Sequence, residues 1–337
     1  MAKKVRKKLK WWGWLLISLS IIIVLTGSGV LVGLHVHSLT ADDITPVDEN
    51  TNSFSYLGVK PEGKKISVEI PEEKEDIIAL AATLYNLGAM NCKNAKYLAV
   101  YNNCHSVFSL NKLNNYIDVI VFMIKDQNSY LREEYHLKNN IPLFEVFPSL
   151  EVAINNMVEM VTSERQYHTK GMEHSIYQRV LNNHYAENGA PIADWSNPSL
   201  EEFRDIPIYN KNQEGIFELT QHNITNDTIV NASVEYLEND QCYKVAFELD
   251  TQNPLTTQKS IKPIREGSGD KKANFTNIEI EFLLWDNGYF KNLKINEKWS
   301  ARVLLPVKCS FANDFSFSYN KADVYIKPFT LNNSDKK

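Results

Sequence analysis

Hydrophobic and polar positions alternate along this chain in three distinct ways, and each change of pattern marks a boundary. From Trp11 to Val36 the chain is apolar and uncharged, about 26 residues against the ~20 that cross a hydrocarbon core. No polar face runs along this stretch, so it predicts a transmembrane helix rather than a buried core helix. Residues 37–70 turn polar and acidic and are broken by Pro46, Pro61 and Gly63, the composition of a stalk. Next comes a helical period. Pro71 suits a first helical position, Glu72, Glu73, Glu75 and Asp76 complement the positive helix end, and Ile77, Leu80, Ala81, Leu84 and Leu87 share one face up to Gly88. Gly88 reads as the stop.

From Tyr97 onward the period shifts mostly to two, and three segments have the form strand, polar turn, aromatic residue, strand. The first runs from Tyr116 to Met123, turns at Asp126-Gln127-Asn128 and returns through Tyr130 to Tyr135. In the second, Val230, Ala232, Val234 and Tyr236 share a face, Glu238 to Gln241 turn, and Tyr243, Val245, Phe247 and Leu249 come back. The third alternates Ile278, Ile280, Phe282 and Leu284 with polar residues, turns at Asp286-Asn287-Gly288, where a tight turn needs positive φ, and returns from Tyr289 to Ile295. Trp299–Val307 and Phe315–Ile326 read as further strands. Their polar outward positions predict an antiparallel sheet covered on one side. Residues 150–161 fit a helix or a strand equally, Ser199 to Glu202 forms a capping box, and residues 251–273, with Gly267-Ser268-Gly269, read as a long loop, either a lid or simply mobile, the latter being the simpler reading.

The fold class that follows is α+β: an N-terminal transmembrane helix, then an extracytoplasmic domain dominated by a curved antiparallel meander, like half a barrel, with one or two packing helices. The expected divisions are a basic tip at 1–10, the span at 11–36, a stalk at 37–70, the β-rich domain at 71–327 and a polar tail at 328–337.

Charge orients the span. Lys3, Lys4, Arg6, Lys7, Lys8 and Lys10 precede it while Asp42, Asp43, Asp48 and Glu49 follow, which predicts a cytoplasmic N-terminus and an outer C-terminal domain at the cell membrane. Trp11, Trp12 and Trp14 sit at the expected membrane interface, where indole rings are favoured. The rival is a cleaved signal peptide, with small residues at Gly27, Ser28 and Gly29 and an end near Thr40-Ala41; the length of the run argues against it. No cysteine near the span offers a site for bacterial lipidation. Setting aside the six N-terminal positives takes the formal net charge from −5 to −11, a surface unsuited to nucleic acid. The basic tip suits anionic lipid.

Chemistry-bearing patterns are sparse, and no catalytic, cofactor or metal signature stands out. Cys92, Cys104, Cys242 and Cys309 all fall in the outer part, where disulfides persist; Cys92 with Cys104 and Cys242 with Cys309 keeps each bridge within one half, and four buried free thiols is the equal alternative. His168 and His174 flank Gly171, with Glu173 as a third metal ligand, although solvated strand and turn residues are the simpler reading. His105 beside Cys104 is a candidate thiol activator. Trp195, after Asp194, is a candidate ligand contact or a loop anchor. Five Asn-x-Ser/Thr tripeptides (Asn223, Asn226, Asn231, Asn274, Asn332) matter only in a secretory eukaryotic cell, and the short basic N-terminus with a single span looks bacterial.

The helix from Glu72 to Gly88, the Asn94-Ala95-Lys96-Tyr97 lead-in to a strand, and the hairpins 229–250 and 275–299 together resemble uncharacterised single-span envelope proteins of low-GC Gram-positive bacteria. One helix followed by an antiparallel meander also looks like the LolA/LppX type of lipoprotein carrier. That resemblance, over roughly residues 72–327, implies a half-open β-barrel holding a lipid or acylated ligand, and supplies no catalytic residues. A retained span departs from the carriers and confines any ligand exchange to the membrane's neighbourhood. The functions in view are binding of a hydrophobic envelope ligand, a structural or interaction subunit of an envelope or secretion assembly, similar in plan to single-span proteins with NTF2-like outer domains, and, third, an envelope hydrolase.

Overall fold

The computed structural model describes residues 54–110, 113–136, 162–171, 176–181, 184–185, 191–192, 219–302 and 306–326. Among them no helix is long and apolar enough to cross a membrane. The expected span 11–36 with Trp11, Trp12 and Trp14 lies outside the described residues, as do Trp195, residues 150–161 and 199–202, Glu173, His174 and the tail 328–337.

A helix, α1 (Lys74–Asn94), leads into β1 (Leu98–Leu110), β2 (Leu113–Lys125), β3 (Ser129–His136), β4 (Thr162–Thr169) and β5 (Ile176–Leu181). A separate two-stranded pair follows, β6 (His184–Tyr185) with β7 (Pro191–Ile192). After β8 (Ile229–Leu237) and β9 (Cys242–Leu249) come the short helices α2 (Pro254–Thr257) and α3 (Ile261–Ser268), then β10 (Asn274–Trp285), β11 (Phe290–Arg302) and β12 (Pro306–Ser318). Ten strands form one antiparallel sheet in the order β5-β4-β3-β2-β1-β12-β11-β10-β9-β8. Two five-stranded meanders therefore run outward from the centre, where β12 pairs with β1 from Ala99↔Ser318 to Leu110↔Val307. Among the described residues the order is open-ended, with β5 and β8 at its edges.

The period-two pattern decides what each face buries. Leu98 and Val100 of β1 point to one face with Phe317 and Phe315 of β12, Leu293 and Ile295 of β11, and Ile280 and Phe282 of β10. Helix α1 seals this inner face over β8, β9 and β11. Its Tyr85 ring meets Phe290, Phe282 and Phe247 at centroid distances of 5.7, 5.9 and 6.1 Å, each such pair contributing roughly 0.5–1.5 kcal/mol beyond burial. On the opposite, outer face Ala99, Tyr101, Ile120, Phe122 and Ile124 form a second cluster under Phe54, Leu57, Val324 and Ile326.

That second cluster corrects the expected extent of the stalk, because residues 54–66 are strapped to the sheet. Asp323 accepts hydrogen bonds from the Ser55 and Tyr56 amides at 3.0 and 2.9 Å, and Gly58 N–H donates to Phe317 O at 2.9 Å. Lys60 pairs with the buried Asp286 carboxylate at 2.6 Å, and Ile66 N–H donates to Asp286 O.

The helix also differs from its expected limits. It starts at Lys74, three residues after Pro71, and runs through Gly88 to Asn94. Gly88 is a packing position rather than a stop: a Cβ there would stand 2.5 Å from the Phe290 ring. The expected long loop at 251–273 is largely α2 and α3, since Pro254 and Asn253 start a helix, with the Asn253 side chain accepting from Leu255 N–H, and Gly269 at φ 67 ends one. The expected strands near Trp299 and Phe315 are the ends of β11 and β12. Val230 does not share the inner face, because a bulge between Ile229 and Asn231 turns it outward. In the 286–288 turn only Gly288 has positive φ, at 83°, the pattern of a three-residue hairpin loop rather than a two-residue one.

Candidate functional site

Farther along the strands, away from α1, the inner face changes character. On β1 the inward positions after Val100 are Asn102, Cys104, Ser106 and Phe108; facing them on β12 are Phe315, Asn313, Phe311 and Cys309. Asn102 Nδ2 donates to Asn313 Oδ1 at 3.1 Å, and Cys104 Sγ lies 3.7 Å from Ser106 Oγ. Beside them three aromatic rings form a row. Trp299 of β11 stacks on Phe311 at 6.1 Å and 12°, and Phe311 meets Phe108 edge-on at 5.7 Å and 86°. All three are half-buried, whereas Phe282, Phe290 and Phe317 under α1 are fully buried.

The side of this row is closed by a chain of three polar groups from three segments. Glu297 of β11 pairs directly with Phe311 in register, so its carboxylate shares the face with the row. His222, seven residues before β8, presents Nε2 to Glu297 Oε1 at 3.0 Å and Nδ1 to Ser260 Oγ at 3.0 Å. Its side chain is only 1% exposed, and its ring stands edge-on to Phe275 at 5.0 Å. Ser260 occupies the position just before α3, yet its hydroxyl makes no capping bond there; it faces His222 and Thr257 O instead. Asn223 N–H donates to Thr256 O at 3.0 Å and ties the histidine segment to α2. Because a carboxylate only accepts, Nε2 carries the proton toward Glu297; in the neutral ring Nδ1 is then an acceptor and shares the one Ser260 hydroxyl proton with Thr257 O at 3.2 Å, a tautomer assigned from the hydrogen-bond network.

All four cysteines are free thiols. Neither expected bridge is formed, and geometry supplies the reason. Cys242 and Cys309 are separated by β10 and β11, three strand spacings of about 4.8 Å each, and sit at opposite ends of β10's register, against the ~7 Å limit for Cα atoms of a disulfide. Cys92 contacts Tyr319 Oη at 3.5 Å, just beyond the Ala99↔Ser318 pair, whereas Cys104 lies five residues farther along β1, about 16 Å. Burial pushes the Cys92 and Cys309 thiols up to about 12 and Cys104 up to about 11. His105 does not activate Cys104. As its neighbour on a strand it points to the other face, where Nδ1 meets Asp118 Oδ1 at 2.5 Å and the ring stacks on Tyr116. His168 is half-buried on β4 opposite Tyr130, its pKa lowered by desolvation, and among the described residues no group of three metal-ligating side chains occurs.

Two hollows at the described surface are polar. One of about 470 Å³ is lined by Lys60, Lys65, Tyr236, Glu238, Gln241 and Asp286 and belongs to the strap. Another, of about 280 Å³, carries Glu248, Glu279 and Glu281. Neither is the apolar cavity of several hundred Å³ expected of a closed lipid pocket.

Sequence reading missed Glu297, His222 and Ser260 because they are far apart in the chain and obey no spacing rule. The one local signal was a serine placed to cap α3.

No family model matches this chain, and no curated protein matches it. Among solved structures, it is similar to a DUF1329 family protein from Desulfovibrio piger, at 8% identity and a TM-score of 0.21, covering 73% of this chain and 94% of the other. It is also similar to a putative outer membrane lipoprotein-sorting protein domain from Vibrio parahaemolyticus, at 6% identity and a TM-score of 0.23, covering 72% of this chain and 93% of the other.

Proposed function

We propose that the domain binds an amphiphile on its inner face, with an acyl chain laid along Trp299, Phe311 and Phe108 and its polar end at the Glu297 edge of that row. The observation that carries this is the contrast within one face: the rings under α1 are fully buried, while three consecutive rings beyond it are half-buried and lie in contact with one another. Apolar side chains aligned with a few convergent polar groups suit a ligand that has both characters. Residues 11–36 would hold the domain at the outer surface of the cell membrane, so the ligand comes from, or returns to, lipid within a stalk's length.

The test is titration of the full chain in nanodiscs with cis-parinaric acid, whose emission rises in an apolar site. Trp299→Ala and Phe311→Ala should each cost on the order of 1–2 kcal/mol, about five- to thirtyfold in Kd. Val230→Ser, at the exposed β8 bulge, should leave Kd unchanged. Equal affinity in wild type and a Trp299/Phe311 double variant would overturn the assignment. So would a reproducible protein partner recovered with no bound lipid.

A further inference from the structure

We infer that Ser260, His222 and Glu297 form a nucleophile, base and orienting carboxylate that cleave an ester whose acyl chain occupies the aromatic row. This rests on the acyl-binding reading of the inner face and extends it from holding a ligand to changing it. The three groups are arranged in succession: the hydroxyl of a half-buried serine, an almost fully buried imidazole behind it, and a carboxylate beyond, with both hydrogen bonds at 3.0 Å. Such a constellation is recognised by geometry and roles rather than by chain order.

Two features bear on this chemistry. Ser260 makes no capping bond at α3, and its hydroxyl, within reach of Thr257 O at 3.2 Å, also lies 3.0 Å from a ring nitrogen. The ring, in turn, is oriented by a carboxylate that belongs to the same face as the half-buried aromatic row, directly opposite Phe311. An acyl chain on Phe311 with its ester end at Glu297 places that end on the histidine and serine side of the face. The positive end of α3 lies beside Ser260 and favours the negative charge that develops on the carbonyl oxygen.

The chemistry balances with water as the second reactant. Ser260 Oγ attacks the ester carbonyl carbon as its proton passes to His222 Nδ1, and Glu297 holds the resulting imidazolium through Nε2–H. The tetrahedral intermediate breaks its bond to the alcohol oxygen, which takes the proton from Nδ1 and leaves. Water then attacks the acyl-serine, gives a proton to Nδ1, and the carboxylic acid departs as Ser260 Oγ regains that proton. The net reaction is ester plus water to acid plus alcohol.

The experiment treats the full chain in nanodiscs with a fluorescent alkyl fluorophosphonate and maps the adduct by mass spectrometry, alongside hydrolysis of p-nitrophenyl octanoate and acetate. Expected are an adduct on Ser260 and octanoate hydrolysis, both abolished in Ser260→Ala and His222→Gln. Glu297→Gln, which keeps a hydrogen-bonding group, should lower kcat by about 100-fold or more with KM little changed, because its role is to position the base. Trp299→Ala should raise KM for octanoate and leave acetate unaffected. Ser260→Cys guards against a folding artefact: it should lose the fluorophosphonate adduct and gain reaction with iodoacetamide at the same position.

Cis-parinaric acid binding separates the two readings. If the wild type binds the probe but neither labels at Ser260 nor hydrolyses octanoate, the catalytic inference is overturned and the binding site stands. Hydrolysis that survives in Ser260→Ala overturns it equally. Labelling at Ser260 with no probe binding and no dependence on Trp299 removes the acyl-chain substrate, and the inference with it.

Discussion

Replacing Gly88 by alanine sets two opposing effects against each other in the middle of α1. In an exposed helix the change gains about 1 kcal/mol of propensity. Here the new Cβ meets three atoms of the Phe290 ring at 2.5, 2.6 and 2.7 Å, about 1 Å inside the ~3.5–4.0 Å of normal carbon contact. The ring has little room to withdraw, since it is fully buried with Phe282, Phe317 and Tyr85 at 5.2, 5.5 and 5.7 Å. Overpacking of this kind costs roughly 1–3 kcal/mol or more, so the net effect of Gly88→Ala should be a loss of about 1–2 kcal/mol. For a domain of this size that lowers Tm by about 2–8 °C in calorimetry. The decisive comparison is a double-mutant cycle with Phe290→Leu. In the leucine background the alanine has space, its cost should vanish or turn into a gain, and a coupling of at least about 1 kcal/mol should appear. If Gly88 instead ended a helix in a left-handed conformation, alanine would cost the same with either residue at 290. That outcome, or a rise in Tm in the wild-type background, would refute the packing argument.

Three further outcomes follow from particular contacts. Asp323→Asn weakens two hydrogen bonds to the Ser55 and Tyr56 amides by about 1–2 kcal/mol, so hydrogen exchange across residues 54–66 should speed up while α1 stays protected; unchanged exchange would show that the strap does not depend on this carboxylate. The His105 pKa is raised, first by its hydrogen bond to Asp118, so the stability it contributes is full below the ordinary imidazole value of about 6.5 and is lost as pH rises through the higher folded value. His105→Gln should flatten that part of the stability-versus-pH curve, and an identical curve in the variant would rule the pair out. With burial raising all four thiols, the native chain should resist iodoacetamide at about pH 8 and react at four sites after unfolding in guanidinium; a Tm that falls on adding reductant would instead reveal a disulfide.

Much of the sheet was legible because period-two alternation is a local property. Ile278, Ile280, Phe282 and Leu284 announce one buried face without reference to any other segment, and all four are buried as expected. Turn chemistry was equally local, as at Asp286-Asn287-Gly288. Where the reading failed, the deciding partner was distant. Gly88 looked like a helix stop because nothing near it in the chain reveals Phe290 two hundred residues on. Residues 54–66 looked like free stalk because the carboxylates that fasten them, Asp286 and Asp323, come from the last quarter of the chain. The cysteine pairing failed because it assumed that closeness in sequence meant closeness across the sheet.

By itself, then, the sequence determined a long apolar run with basic residues before it, a helix, and a succession of one-sided antiparallel hairpins, all of which depend on patterns a few residues long. Only the tertiary structure decided that β12 closes against β1 and so sets Phe108, Phe311 and Trp299 in one row. The same holds for Ser260, His222 and Glu297. Hydrogen-bonding geometry of that kind is a property of three backbones brought together in space, and residues 38 and 37 positions apart carry no local trace of it.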